Sequence, residues 1–266
     1  MSSTHVDHGV LMTRMPPSRR ATRVAVLAGA MAALALLPAR STGAQSSPID
    51  RALGAGQWRE AVRLLDSVLT QAPRDASSLQ QRGRAHRELE EFDKALADYT
   101  QAIAVNRRFA AAYGGRAIVH QRRGNASASF ADIDSARALG LNDPQLDLVE
   151  GISYLMNEDG AKAWARFDRY VRAVPDAAQG WFLRGRAAGT AGRAADAEKD
   201  FTAAIARRMT GPEVYTLRAM VRATLGNTAG ACADLTEAAT RGDKAAAATV
   251  AKNCKSPLIT EPANRG

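Results

Sequence analysis

Only two cysteines, Cys232 and Cys254, and four histidines occur in the 266 residues. Neither His86 nor His120 has a cysteine or acidic cluster at ligand spacing beside it, so the sequence offers no metal centre, and none is expected. The phosphate-cradling pattern Gly-x-x-x-x-Gly-Lys-Ser/Thr is absent, as is the nucleophile elbow Gly-x-Ser-x-Gly. Glu90-Glu91 and Glu158-Asp159 stand at hairpin turns, where solvated acids are ordinary. No catalytic residue and no cofactor is therefore assigned. Aromatic residues make up only 5% of the chain. That is too few for a large β-sandwich, whereas an alanine-rich composition suits closely packed helices.

Charge of one sign is in modest excess. The net charge of +9 looks at first like a nucleic-acid signal, but residues 1–44 carry five arginines against Asp7, leaving +5 for the rest. A nucleic-acid role is accordingly the least favoured. Residues 1–44 read as a signal peptide. Ser18 to Arg23 is a basic stretch, Val24 to Leu37 an uncharged apolar run of 14 residues, and Thr42-Gly43-Ala44 puts small residues before a cut at Gln45. Fourteen residues fall short of the roughly 20 that a membrane helix needs, so an uncleaved anchor is the secondary reading. Arg19-Arg20 hints at twin-arginine export, but Thr22 and Arg23 stand where that signal prefers apolar residues, so general secretion is favoured. No cysteine lies near the cut for a lipid anchor, and translation from Met15 would leave the signal intact. The expected location is the periplasm or the exterior.

What the chain does have is a 34-residue period. Windows start at Thr42, Ala76, Ala110, Pro144, Ala178 and Pro212. Position 8 reads Ile49, Gly83, Ala117, Gly151, Gly185 and Ala219. Position 20 reads Ala61, Ala95, Ser129, Ala163, Ala197 and Ala231, and position 24 reads Leu65, Tyr99, Ile133, Phe167, Phe201 and Leu235. Small, small, bulky at fixed offsets describes paired helices that cross closely, the bulky side chain filling the space that the small ones leave. In the second window the run Glu90-Glu91-Phe92-Asp93 is expected to make the turn. His86 and His120 both fall at position 11 of their windows.

This pattern resembles the tetratricopeptide repeat family, with Gly or Ala at 8, Ala at 20, Phe or Tyr at 24 and Pro at 32, as at Pro73 and Pro175. Position 7 departs from it, being Arg82, Arg116, Arg184 and Arg218 where the family has Leu. The resemblance implies an all-α, right-handed superhelical solenoid of about six helix-turn-helix repeats over residues 45–242. It also implies that the first helix of each repeat lines a concave groove through positions 2, 5, 9, 12 and 13. Carried onto this chain, those positions give Gln80, Arg84, Arg87, Gln121 and Arg122 as a basic half. They give Leu148, Ile152, Leu155, Met156, Phe182, Arg186 and Met220 as an apolar half, some of which the packing between repeats could claim instead. The implied ligand is a peptide segment with apolar anchors and acidic flanks. The family's Lys/Asn clamp for chaperone tails is missing, since Ser46, Gln80 and Gly114 hold position 5 and Asp50, Arg84 and Ile118 hold position 9.

Residues 243–254 have strong helix propensity and read as a capping helix, with 255–266 a flexible tail. Cys232 lies ten residues before Gly242 and Cys254 twelve after it, so two antiparallel helices joined there bring both to one end. The stretch around them also resembles the C-terminal cap of exported bacterial repeat proteins. A disulfide is expected, with two buried thiols as the alternative. The functional expectation is a non-catalytic protein-interaction scaffold in a bacterial envelope. A self-associating structural protein, or an accessory subunit of an envelope or cell-wall assembly enzyme, is the alternative.

Overall fold

The structure is a computed structural model that describes residues 46–254. The expected signal peptide and C-terminal tail lie outside the described residues. Those residues form thirteen helices and no strand. Six hairpins follow one another: α1 (Pro48–Gly54) with α2 (Trp58–Gln71), α3 (Ala76–Glu88) with α4 (Phe92–Val105), and α5 (Ala110–Arg122) with α6 (Ala126–Ala138). Then come α7 (Pro144–Met156) with α8 (Gly160–Ala173), α9 (Ala178–Thr190) with α10 (Ala194–Ala206), and α11 (Pro212–Thr224) with α12 (Thr228–Thr240). A single helix, α13 (Lys244–Asn253), packs on α12. Each helix packs on its sequence neighbours, the arrangement of a helical repeat solenoid.

Local chemistry sets the helix ends. Asp75, Asn125, Asp143, Asp159, Asn227 and Asp243 each accept a backbone N–H bond at a helix start, and Ser47 with Asp50 closes a capping box. Pro48, Pro144 and Pro212 open their helices, where a missing N–H costs nothing. The turn inside each hairpin passes through a left-handed residue at position 15, namely Gly56, Glu90, Gly124, Glu158, Gly192 and Gly226. The second turn is shorter than the sequence implied, because α4 already begins at Phe92. Glu158 holds φ at 58°, a conformation that disfavours any side chain with a Cβ. Glu158→Gly is therefore expected to stabilise the protein by about 0.5–1 kcal/mol, after allowing for the extra freedom that glycine gives the unfolded chain. An unchanged or lowered thermal midpoint would show that the turn carries no such strain.

The core is built by bulky second-helix residues entering spaces left by glycine. A Cβ on Gly151 would lie 2.6 Å from the Phe167 ring, and one on Gly185 would lie 2.8 Å from Phe201. Tyr99 sits between Gly83 and Gly115, and burial pushes its hydroxyl pKa up to about 12. Tyr99, Phe167, Phe201, Leu65 and Ile133 are buried, and close packing of this kind resists even a one-carbon change. Leu235, the last of the position-24 series, is only half-buried where the array ends.

A second, polar device runs along the array. Arg184 donates from Nη2 and Nε to both oxygens of Asp200, at 2.6 and 3.0 Å, and from Nη1 to Asp168 of the preceding repeat at 2.7 Å. Arg82 makes the same fork to Asp98 and reaches back to Asp66. Arg116 does so with Asp132 and Thr100, and Arg218 with Asp234 and Thr202. The partners always stand 16 residues away on either side. In the fourth repeat the signs are exchanged: Glu150 accepts from Arg166 at 3.0 Å and from Arg137 at 2.6 Å. Planar guanidinium forks join the two helices of a repeat and tie them to the one before. These arginines replace the family's apolar packing at position 7 with bidentate ion pairs.

Cys232 and Cys254 are joined by a disulfide with Cα atoms 5.5 Å apart, linking α12 to the end of α13. At its other end α13 is fastened by Asp243, which caps it and accepts from Thr216 of α11 at 2.8 Å.

Candidate functional site

A cleft of about 540 Å³ lies on the first-helix face of the C-terminal half. That falls within the roughly 300–1,000 Å³ of ordinary ligand sites. Ile152, Leu155 and Met156 of α7 form one wall. Leu217, Met220, Val221 and Thr224 of α11 form the other. The helix between them, α9, contributes Leu183, Gly185, Arg186, Gly189 and Thr190. The small residues of α9 let the wall helices flank an open channel. A Cβ on Gly189 would meet nothing within 4 Å, so the missing side chain there is open space.

Three large apolar side chains stand exposed among the described residues, and two of them, Met156 at 56% and Met220 at 62%, are on this cleft. Unbranched thioether chains adapt their shape to a partner, which suits them to a binding surface. Gly189, lying between them, adds backbone that a ligand can approach closely.

Of the expected groove residues, Ile152, Leu155, Met156, Arg186 and Met220 line this one cleft. Two expected groove residues are elsewhere. Leu148 and Phe182 are buried in the C-terminal core, where the Phe182 and Phe201 rings lie 5.9 Å apart, and neither lines the cleft. Leu183, Leu217 and Val221, which the groove positions did not include, help line the cleft; they stand at positions 6 and 10, beside the inferred stripe.

The basic half forms a smaller cleft of about 150 Å³ between α3 and α5, with Gln80, Arg84 and Arg87 beside Ile118 and Leu146. Arg87 is committed to its neighbour Glu88 at 2.6 Å, which removes it from the available cations. Arg84 and Arg122 are exposed. Gln121 of α5 approaches Met156 of α7, Nε2 to Sδ 3.8 Å, so the α5 face runs on into the large cleft.

The histidines stand beside the arginine forks. His86 Nδ1 is 2.6 Å from Glu91, and His120 Nε2 is 3.8 Å from Asp132. Burial lowers the His120 pKa below its ordinary value. Among the described residues no three His, Cys, Asp or Glu side chains gather as metal ligands.

No curated protein matches the sequence. Solved structures do, at low identity. YrrB, described as a TPR protein with an unusual peptide-binding site, superposes with a TM-score of 0.63 at 19% identity, over 72% of this chain and 100% of its own. PilW, described as a widely conserved type IV pilus biogenesis factor, gives 0.66 at 19% identity over 76% of this chain and 94% of its own. A tetratricopeptide repeat protein from Parabacteroides merdae gives 0.52 at 19% over 77% and 85%. At such identities the likeness is one of fold. A tetratricopeptide repeat family model matches residues 81–144 and 148–212, in phase with the hairpins described above, and the chain belongs to the tetratricopeptide repeat family.

Proposed function

We propose that this protein is a non-catalytic interaction scaffold of a bacterial envelope that holds a peptide segment of a partner in the groove of α7, α9 and α11. The observation that carries the proposal is the open apolar cleft flanked by the exposed Met156 and Met220. A tetratricopeptide repeat fold is a general protein-interaction scaffold, and the fold neighbour YrrB is described as having a peptide-binding site. Export is supported by the signal-like residues 1–44 and by a disulfide of the kind that persists in oxidising compartments.

Gly189→Phe tests the groove without attacking the fold. The new ring enters open space, and exchanging a helical glycine for another residue costs no stability and can add a few tenths of a kcal/mol. Peptides selected from a random display library on the purified protein are expected to bind the variant at least tenfold more weakly, with its thermal midpoint unchanged or raised. Equal binding by both proteins would place the peptide site elsewhere.

A further inference from the structure

The arginines of the first helices fall into two classes two residues apart. Arg82 and Arg184, at position 7, are saturated by two acidic partners each. Arg84 and Arg186, at position 9, are exposed and have no acidic partner among the described residues. Two residues along a helix turn the side chain by about 200°, so one class faces the repeat interior and the other the groove. The outward pair is held against aromatic rings: Arg84 Cζ lies 5.7 Å from the Trp58 ring and Arg186 Cζ lies 5.9 Å from Phe182. Contact with a ring steadies a guanidinium and leaves its N–H edge free for a carboxylate. Arg122, exposed on α5, is a third cation on this face without an acidic partner among the described residues. Of the acids at groove positions, Asp50 is engaged with Ser47, Glu88 is taken up by Arg87, and Glu213 stands at the start of α11, while Asp143, which lines the Arg84 cleft, caps α7.

From this we infer that the groove's occupant is an acidic peptide. Its apolar anchors fill the α7–α9–α11 cleft, and its carboxylates pair with Arg84, Arg122 and Arg186. The inference rests on the groove reading above and assigns the arginines that meet the ligand's acidic residues. An apolar floor beside the cations favours a peptide over a nucleic acid, whose phosphates would leave Met156 and Met220 uncovered. Arg186 lines the apolar cleft itself, so at least one carboxylate falls next to an anchor; Arg84 lines the smaller cleft and Arg122 stands exposed at the end of α5, where they take acids further along the face.

The test is display selection from a random peptide library on the wild type and on R84Q/R122Q/R186Q, followed by binding of one fluorescein-labelled wild-type winner at two salt concentrations. The expected wild-type pool combines apolar anchors with Asp or Glu. The triple variant is expected to keep the anchors, lose the acidic enrichment, bind the labelled winner about tenfold more weakly, and show a flatter salt dependence. A wild-type pool with anchors but no acidic bias would overturn this inference and leave the groove reading intact. A wild-type pool with no enrichment at all would overturn both. Binding of a labelled single-stranded oligonucleotide that the same three substitutions abolish, with no selected peptide competing, would replace the peptide with a nucleic acid.

Discussion

Arg184→Met is expected to destabilise the protein by about 3–5 kcal/mol, the cost of leaving a buried carboxylate without its cation. Arg184 is one of the two most enclosed of the repeated forks, with Arg218 the other. It bonds both oxygens of Asp200 and one of Asp168, and its guanidinium lies 4.6 Å from the Trp181 ring and 5.7 Å from Trp164. Asp200 is only 3% exposed, and burial already pushes its carboxyl pKa above the ordinary range while Arg184 pulls it back. Asp168 has Arg172 at 2.8 Å as a second partner, so the damage falls on Asp200. Arg184→Met/Asp200→Leu is expected to recover more than half of the loss, because an apolar pair leaves no charge to solvate. In the single variant the folded-state pKa of Asp200 rises further above its unfolded value. The folded state then binds the proton more tightly, so the deficit relative to wild type is largest near neutral pH and shrinks as pH falls through that raised pKa. Hydrogen exchange across α9 and α10 is the suitable measurement, since a repeat array need not unfold in one step. Additive effects of the two substitutions, or a pH-independent deficit, would mean that the fork does not stabilise the array.

This ladder also shows where reading the sequence stops. The period rests on small and bulky residues at positions 8, 20 and 24, and those are the residues that touch in the core, as Gly151 and Phe167 do. Position 7 read only as a departure from leucine. Its explanation was present at a constant offset, in Arg82 with Asp98, Arg116 with Asp132, Arg184 with Asp200 and Arg218 with Asp234, and reversed in Glu150 with Arg166. Polar pairs leave no mark on apolar periodicity, because a charged residue on a helix is ordinarily solvated. The groove was legible in part for a different reason. Ile152, Met156 and Met220 follow from position numbers, but whether Leu148 and Phe182 face solvent or a neighbour depends on how closely successive repeats approach, and the glycines of α9 set that distance jointly with α8 and α10. Gly160 of α8 shows how close the approach is: a Cβ there would lie 2.7 Å from the backbone nitrogen of Ala191 and 2.8 Å from the carbonyl oxygen of Ala187. One helix's alphabet does not contain that information.

Cys232→Ser/Cys254→Ser is expected to cost roughly 3 kcal/mol at the C-terminal end, from loss of a cross-link that closes a loop of 22 residues in the unfolded chain. The cost falls locally because α13 has little else to hold it. Ala246 is its one buried residue, and most of the remaining side chains of this ten-residue helix face solvent. A helix this short is marginal by itself, and beyond Asp243 at its start the disulfide at its end is the main fastening. Its release uncovers an apolar seam between α11 and α12 that includes the buried Ala219 and Ala231 and the half-buried Leu235, beside the already exposed Met220 and Ala223. Met220 belongs to both that seam and the large cleft, so the cap and the groove share a side chain. The expected result is rapid hydrogen exchange throughout α13, partial loss of protection in α12, and native protection from α3 to α8. A weaker effect on peptide affinity follows, about two- to fivefold, as Met220 loses its support on one side. Treating the wild type with a dithiol should reproduce the variant, because exchange converts the one disulfide among the described residues to two thiols. Full protection of α13 in the double variant would mean that helix packing alone closes the array, and that the cross-link adds nothing to the solenoid's end.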